Sequence, residues 1–318
     1  MNMRVAVCSR SFSRNETLRR KIKERYVDVK FNDQGIVFDS HSLVTFLSGY
    51  DAAIIGLEKI NSDVLSQLPR LNVIGKYGVG LDKIDLKACN YFGVRIGWKP
   101  GVNATAVAEL TLSMALTIVR GSAWSNVLVK DGLWRQVIGK QLSSLTVGVI
   151  GCGNVGSAFV KLLSGFKCPI FVFDKEDRTD ICSVQKAKQV TFSFLIKNSD
   201  VISIHLPDDT STRSLFSKNF YHDVKLGSYL INTARGSLLS DKLILQGLNS
   251  GRFAGVALDV LEVEPPVSSE LVHHQNCFIT SHIGGSSEEA VLAMGMAAIE
   301  GLEKNSAACD LASGEFSA

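Results

Sequence analysis

The sequence predicts an α/β protein made of two doubly wound parallel-sheet domains. Three observations carry that expectation. Short apolar runs alternate with amphipathic segments along the whole chain, which is the rhythm of βαβ units whose strands are covered on both faces. A long apolar segment of helical period, 103–120, interrupts the series and divides it in two. The 318 residues suffice for two ordinary domains, each with its own core.

The first series holds strands at 5–8, Ala52–Ile55 and Val73–Lys76, short runs led by Val, Ile and Ala, the last ending in Gly75 and Lys76. Helices are expected between them at 15–26 and 62–67, each opening on a residue suited to capping. The run "LRRKIKER" (18–25) reads as the solvated face of the first helix. The break "KPG" at 99–101 precedes the 103–120 helix. A helix this apolar needs a partner surface. A crossover between two domains, or the interface of a homodimer, would provide it.

The second series places strands at 146–150, Ile170–Phe173, 201–205, 229–232 and 256–258, with helices at 154–166 and Asp241–Asn249. "SSEE" at 286–289 matches a capping box with Ser286 at the cap and Glu289 three residues later. A last helix, 288–305, would return to the first domain.

Composition narrows the functional classes. The net charge of +3 is too small to argue for a nucleic-acid or membrane partner. No apolar run is long enough for a membrane span, and "MNMRVAVCSR" reads as a strand rather than a signal peptide. Seven scattered cysteines show neither a paired framework nor metal-ligand spacing, so no metal site is expected and a reducing, cytoplasmic setting fits.

"LTVGVIGCGNVGSAFV" sets Gly151, Gly153 and Gly156 in G-x-G-x-x-G spacing. Alone, that pattern also describes an ordinary tight turn. Here an apolar strand precedes it, a helix follows it, and a second strand ends in Asp174, 18 residues after Gly156. A dinucleotide needs this arrangement. Gly151 permits the turn, Gly153 admits the pyrophosphate and Gly156 lets helix and strand pack. The helix start at Asn154 and Val155 offers N–H groups and a positive dipole end. Asp174 would accept from the ribose hydroxyls and repel a 2′-phosphate, which favours NAD. Lys175 and Arg178 soften that preference.

Three more segments end strands on the same side of the second sheet: "INTARGSLL" (231–239), "GVALDVLEVEPP" (255–266) and "ITSHIGGSSEEA" (279–290). Arg235, Glu264 and His282 could therefore converge. Histidine titrates near neutrality and can exchange a hydroxyl proton. A carboxylate beside it raises its pKa. Arginine grips a carboxylate bidentately and can anchor a 2-hydroxy or 2-oxo acid. Taken singly, a buried Arg–Glu pair reads equally well as structure, a strand-end histidine is more often structural than catalytic, and Asp259 could simply cap a turn.

Together these segments, with "KYGVGLDKID" (76–85), "NATAVAELTL" (103–112) and "SDVISIHLP" (199–207), resemble the D-isomer-specific NAD-dependent 2-hydroxyacid dehydrogenases over nearly the whole chain. Within that family the chain is similar to short phosphoglycerate-dehydrogenase-like members. The resemblance implies a Rossmann NAD-binding domain at 100–285 inserted in a flavodoxin-like substrate domain formed by 1–99 and 286–318. It makes Arg235, Glu264 and His282 the catalytic set. Asp259 would hold the nicotinamide carboxamide, and His205, Leu206, Pro207, Thr233 and Ala234 would line the cofactor. Gly284 and Gly285 would let the backbone pass the nicotinamide. The Val79 and Gly80 amides would meet the substrate carboxylate, and Lys76 a second acidic group such as a phosphate.

The sequence departs from the family pattern at Ser281, where proline is usual before the histidine. Serine removes a fixed φ and so a restraint on His282. The chain ends at Ala318, so a C-terminal regulatory domain is not expected. Two other functions stay open: an NAD-sensing corepressor-like scaffold of the same fold, and a formate- or phosphite-type dehydrogenase.

Overall fold

The computed structural model describes residues 3–216, 218–266 and 270–312. The ends of the expected substrate domain, 1–2 and 313–318, lie outside the described residues. The chain divides into two compact units, Met1–Asn103 with Gly285–Ala318, and Ala104–Gly284. The sequence drew these breaks at 99/100 and 285/286. The first break falls later because the loop after Pro100 runs on to Asn103 before the helix starts at Ala104.

The first unit contains strands β1 (Val5–Val7), β2 (Val29–Phe31), β3 (Ala52–Ile55), β4 (Val73–Lys76) and β5 (Arg95–Gly97). All pair in parallel, in the order β2-β1-β3-β4-β5, which is the flavodoxin-like order. Every residue of β1, β3 and β4 is buried, so these strands read as apolar runs, broken only by Lys76 at the end of β4. The edges β2 and β5 are short and carry Lys30 and Arg95, and their pattern is too brief to detect in sequence. The helix Glu16–Lys23 turns Leu18 and Ile22 inward and is capped by the Asn15 side chain on the Leu18 amide. The helix Glu288–Gly301 packs on β4 and β5. A methyl group on Gly75 would meet the Ala298 carbonyl oxygen at 2.3 Å, and one on Gly97 would meet that of Gly301 at 2.0 Å. The expected capping box does not form. Ser287 is the cap and accepts from the Ala290 amide. The helix starts one residue later than the pattern implied, so the third helical position is Ala290, which has no side-chain acceptor.

The second unit holds β6 (Val147–Ile150), β7 (Ile170–Phe173), β8 (Lys188–Gln189), β9 (Val201–Ile204), β10 (Ser228–Asn232), β11 (Phe253–Leu258) and β12 (Cys277–Ile279). The order is β12-β11-β10-β9-β6-β7-β8, all parallel. Counted within the unit this is the Rossmann order 3-2-1-4-5-6 with a seventh strand added. The direction of winding reverses between β6 and β9, where doubly wound sheets bind ligands at their carboxyl ends.

The helix Ala104–Arg120 buries Ala104, Val107, Ala108, Thr111, Met114, Ala115 and Val119, one face at 3.6-residue period. It packs on the helix Asn154–Leu163 and against β10 and β11, so much of its apolar surface is covered inside its own unit. Among the described residues no single helix is long and apolar enough to cross a membrane.

Candidate active site

The loops that follow β9, β10, β11 and β12 carry most of the residues singled out in sequence, and these loops belong to the second unit up to Gly284. Arg235 ends the turn after β10. Its loop is fixed by Asn232, whose side chain is 1% exposed, accepts from the Ala234 amide at 3.0 Å and donates to the Arg235 carbonyl at 2.8 Å. Gly236 lies flat on the next loop: a methyl group there would meet the Leu261 backbone at 2.0 Å. Glu264 sits on that next loop and accepts from the Leu261 amide at 3.0 Å.

The other Glu264 oxygen, Oε2, lies 2.7 Å from His282 Nδ1. The structure thus joins two of the three expected groups directly. The third reaches both through its charge. The hydrogen bond to Glu264 raises the His282 pKa above its ordinary 6.5, against the opposing pull of burial and of the Arg235 cation. Burial pushes the Glu264 carboxyl upward, but His282, the Leu261 amide and Arg235 outweigh it and hold it below the usual carboxylate range. With Nδ1 engaged by the carboxylate, Nε2 is the ring atom left to exchange a proton.

His282 has φ +56°, in the left-handed region that few non-glycine residues adopt. The turn that holds it there is clamped by Asp259, which is 2% exposed. Asp259 Oδ1 accepts from Thr280 Oγ1 at 2.6 Å and from the Ile283 amide at 2.7 Å, and Oδ2 accepts from the Gly284 amide at 2.8 Å. A methyl group on Gly284 would meet Asp259 Oδ2 at 3.0 Å. Sequence reasoning assigned Asp259 to the cofactor and Gly284 to a close passage of backbone. Their contacts with each other were not legible, because residues 21 to 25 positions apart meet only once β11 and β12 pair. Gly285 belongs to the first unit, beside Asn103 and Met294.

The glycine turn fits a dinucleotide on its own geometry. Gly151 has φ +89°, and a methyl group on Gly156 would meet the Gly151 carbonyl oxygen at 1.9 Å. A methyl group on Gly153 would meet nothing within 4 Å. There the backbone is open to an incoming phosphate, at the head of the ten-residue helix that starts with Asn154 and Val155. Asp174 Oδ2 accepts the Cys152 amide at 2.7 Å, bracing the same turn, and Oδ1 accepts the Glu176 amide at 3.0 Å. Arg178 stands 3.6 Å from Asp174 and 2.8 Å from Glu176, so the aspartate shares its charge with a neighbour.

The His205 ring turns inward, beside Phe159, with Nε2 2.9 Å from Ser203 Oγ. Burial drives its pKa down to about 3, so it stays neutral. What His205 presents to the glycine turn is its carbonyl, 2.8 Å from a methyl group built on Gly151, and Leu206 approaches equally closely. Pro207 takes part through its carbonyl, which accepts from Thr212 Oγ1 at 2.7 Å. Thr233 is 8% exposed, with its hydroxyl 2.9 Å from that of Thr111.

In the first unit, Lys76 is 5% exposed and its ammonium donates to the carbonyls of Gly56 at 2.5 Å and Tyr77 at 3.2 Å. The Val79 carbonyl accepts from the Trp98 indole at 2.9 Å, and Val79 and Gly80 are half-buried in the loop after β4.

Comparison with known proteins gives these geometries a context. A model of the D-isomer specific 2-hydroxyacid dehydrogenase NAD binding domain matches residues 112–284. The D-3-phosphoglycerate dehydrogenase of Bacillus subtilis is 32% identical over 254 residues, covering 77% of this chain and 47% of that protein. The glyoxylate reductase of Thermofilum pendens is 34% identical over 241 residues, covering 73% of this chain and 71% of that protein. Among solved structures, D-lactate dehydrogenase from Escherichia coli matches with a TM-score of 0.83 at 23% identity, over 99% of this chain and 98% of that one, a likeness of fold. The chain spans about half the length of the phosphoglycerate dehydrogenase.

Proposed function

The chain belongs to the D-isomer specific 2-hydroxyacid dehydrogenase family, and from that premise we propose that it uses NAD to interconvert a D-2-hydroxy acid and its 2-oxo acid. The observation that carries the reading is the His282–Glu264 pair at 2.7 Å, with Arg235 on the adjoining loop. Bound NAD supplies the two-electron acceptor or donor. The glycine turn and the amides at Asn154 and Val155 would hold its phosphates, Asp174 would take the ribose, and the loops at 205–207, 233–234, 259 and 284–285 would line it. Arg235 binds the substrate carboxylate and polarises the neighbouring carbonyl. His282 Nε2 gives a proton to the carbonyl oxygen in reduction and takes it back in oxidation, while Glu264 stabilises the imidazolium.

We assign Lys76, Val79 and Gly80 of the first unit to substrate contacts. The buried ammonium favours an acid with a second anionic group, so 3-phosphoglycerate and its oxidised partner head the substrates to test. Glyoxylate follows, from the name of the Thermofilum relative. The test is NADH absorbance with a panel of 2-oxo acids and, in reverse, D-2-hydroxy acids. Turnover of at least one acid supports the reading. NADH binding without turnover of any acid would instead favour the scaffold, and NADH production from formate or phosphite would favour the third function.

We further propose a homodimer in the cytoplasm. Trp124 (40% exposed), Leu133 (56%), Trp134 (91%) and Ile138 (96%) lie close together in sequence just after the helix Ala104–Arg120, and a second copy would cover such exposed apolar side chains. Cys8, Cys89, Cys152, Cys168 and Cys182 are buried free thiols, which suits a reducing compartment. A monomer by light scattering would refute the dimer.

A further inference from the structure

Asp208 belongs to no motif, yet it joins two loops that the proposed reaction uses. It follows Pro207 at the end of the turn after β9. Its side chain is 11% exposed and is gripped on both oxygens by Arg213, Nε at 2.5 Å from Oδ1 and Nη2 at 2.8 Å from Oδ2. Oδ2 also accepts from Ser237 Oγ at 2.6 Å. Ser237 stands two residues after Arg235, in the short turn Gly236–Leu238.

The turn that carries Asp208 is itself rigid. Asp209 caps the helix Thr210–Leu215 in a full capping box, and Thr212 reaches back to the Pro207 carbonyl. The Arg235 loop is therefore held on two sides. Gly236 rests on the Leu261 backbone, and Ser237 is tied to Asp208. An Arg–Asp pair on a protein surface contributes little by itself; here Arg213 is 59% exposed, but the carboxylate is only 11% exposed and has a third partner from another loop. Arg213 in particular, with Ser237 and Arg235 adding to it, keeps the Asp208 carboxyl below the usual range.

We propose that Asp208 is a positioning residue for Arg235: through Ser237 it fixes the loop that aims the guanidinium, and Arg213 occupies the carboxylate so that it does not compete with the substrate's for Arg235. This rests on the reading of Arg235 as the anchor of the substrate carboxylate.

The experiment measures binding of oxamate, an unreactive 2-oxo acid mimic, to the NADH complex of the full chain by NADH fluorescence. The set comprises wild type, Arg235→Ala, Ser237→Ala, Ser237→Thr and Arg213→Gln, with NADH affinity measured separately for each. A hydrogen bond to a charged group sets the scale: Ser237→Ala should weaken oxamate about tenfold and leave NADH affinity within about twofold. Ser237→Thr keeps the hydroxyl and should restore oxamate binding, a rescue that a purely structural role for Ser237 does not require. Arg213→Gln releases the Asp208 charge toward Arg235 and should also weaken oxamate, more at low salt than at high salt. If Arg235→Ala loses oxamate while Ser237→Ala keeps it, this inference falls and the anchor reading stands. If Arg235→Ala binds oxamate like the wild type, the anchor reading falls and takes the inference with it. Parallel losses of NADH and oxamate in Ser237→Ala would also overturn it, since the contact would then serve the cofactor.

Discussion

Asp259→Asn preserves the size of a buried side chain and removes one acceptor together with the charge. The native carboxylate holds the His282 turn through three donors, Thr280 Oγ1, the Ile283 amide and the Gly284 amide. In its best orientation asparagine keeps its oxygen toward Thr280 and Ile283 and turns its NH2 group to the Gly284 N–H, donor against donor. One charge-assisted bond is lost and two become neutral. At about 1.5–3 kcal/mol for a bond to a charged group and about 1 kcal/mol for a neutral one, the turn loses roughly 2.5–7 kcal/mol of holding free energy. The left-handed backbone at His282, φ +56°, is a strain of ~1–2 kcal/mol that this holding free energy offsets in the wild type. At 1.36 kcal/mol per tenfold in rate, catalysis through His282 should fall by about two to five orders of magnitude. The assay is steady-state NADH oxidation with the best 2-oxo acid, beside a thermal melt and an NADH titration. Turnover within a few fold of wild type, in a protein that melts normally, would refute the clamp.

Further outcomes follow from the same contacts. Glu264→Gln removes the group that chiefly raises the His282 pKa. In the proposed mechanism reduction uses the protonated ring, so its rate is full below that pKa and falls above it; the variant should move the falling limb of kcat/KM to lower pH, and an unmoved limb would contradict the pairing. The same raised pKa adds stability that is fully present below pH 6.5 and is lost as pH rises through the folded value. Asp174→Ala should weaken NADH roughly tenfold or more and narrow the gap to NADPH, because it removes both the proposed acceptor for the ribose and the brace on the Cys152 amide. Unchanged affinity for both cofactors would exclude this role. Gly156→Ala puts a methyl group 1.9 Å from the Gly151 carbonyl oxygen, so the helix must shift at a cost of about 1–3 kcal/mol. A thermal melt should show a drop of several degrees together with lost NADH binding, and an unaltered melt would count against the packing.

What could be read from the sequence follows from how each element is buried. β1, β3, β4, β6 and β9 are buried along their whole length and stand out as apolar runs. The edge strands β2, β5, β8 and β12 are short and half-solvated, with no run long enough to see. The glycine turn was legible because its spacing answers to local sterics: Gly151 needs a positive φ and Gly156 a missing side chain. Arg235, Glu264 and His282 were legible from their motifs and from the chemistry of their residue types. The contacts that aim them were not. The Asp259 clamp, the Ser237–Asp208 tie and the inward His205 ring depend on loops brought together by strands remote in sequence. Lys76 illustrates the same limit: its type pointed to an anion, while the carbonyl of Gly56 that its ammonium also meets, beside that of Tyr77, comes from a loop that only the fold brings near it. The concern over Ser281 also changes. Hydrogen bonds to Asp259 from residues on both sides of His282 supply the restraint that a proline ring would have provided.

The most direct test of the account compares wild type with His282→Ala in two readings on the same samples, NADH affinity and turnover of the best 2-oxo acid. The account predicts NADH affinity within a few fold and turnover lowered by about 10²–10⁴, the contribution of a positioned acid/base. Turnover near that of the wild type, with NADH bound as before, would contradict it.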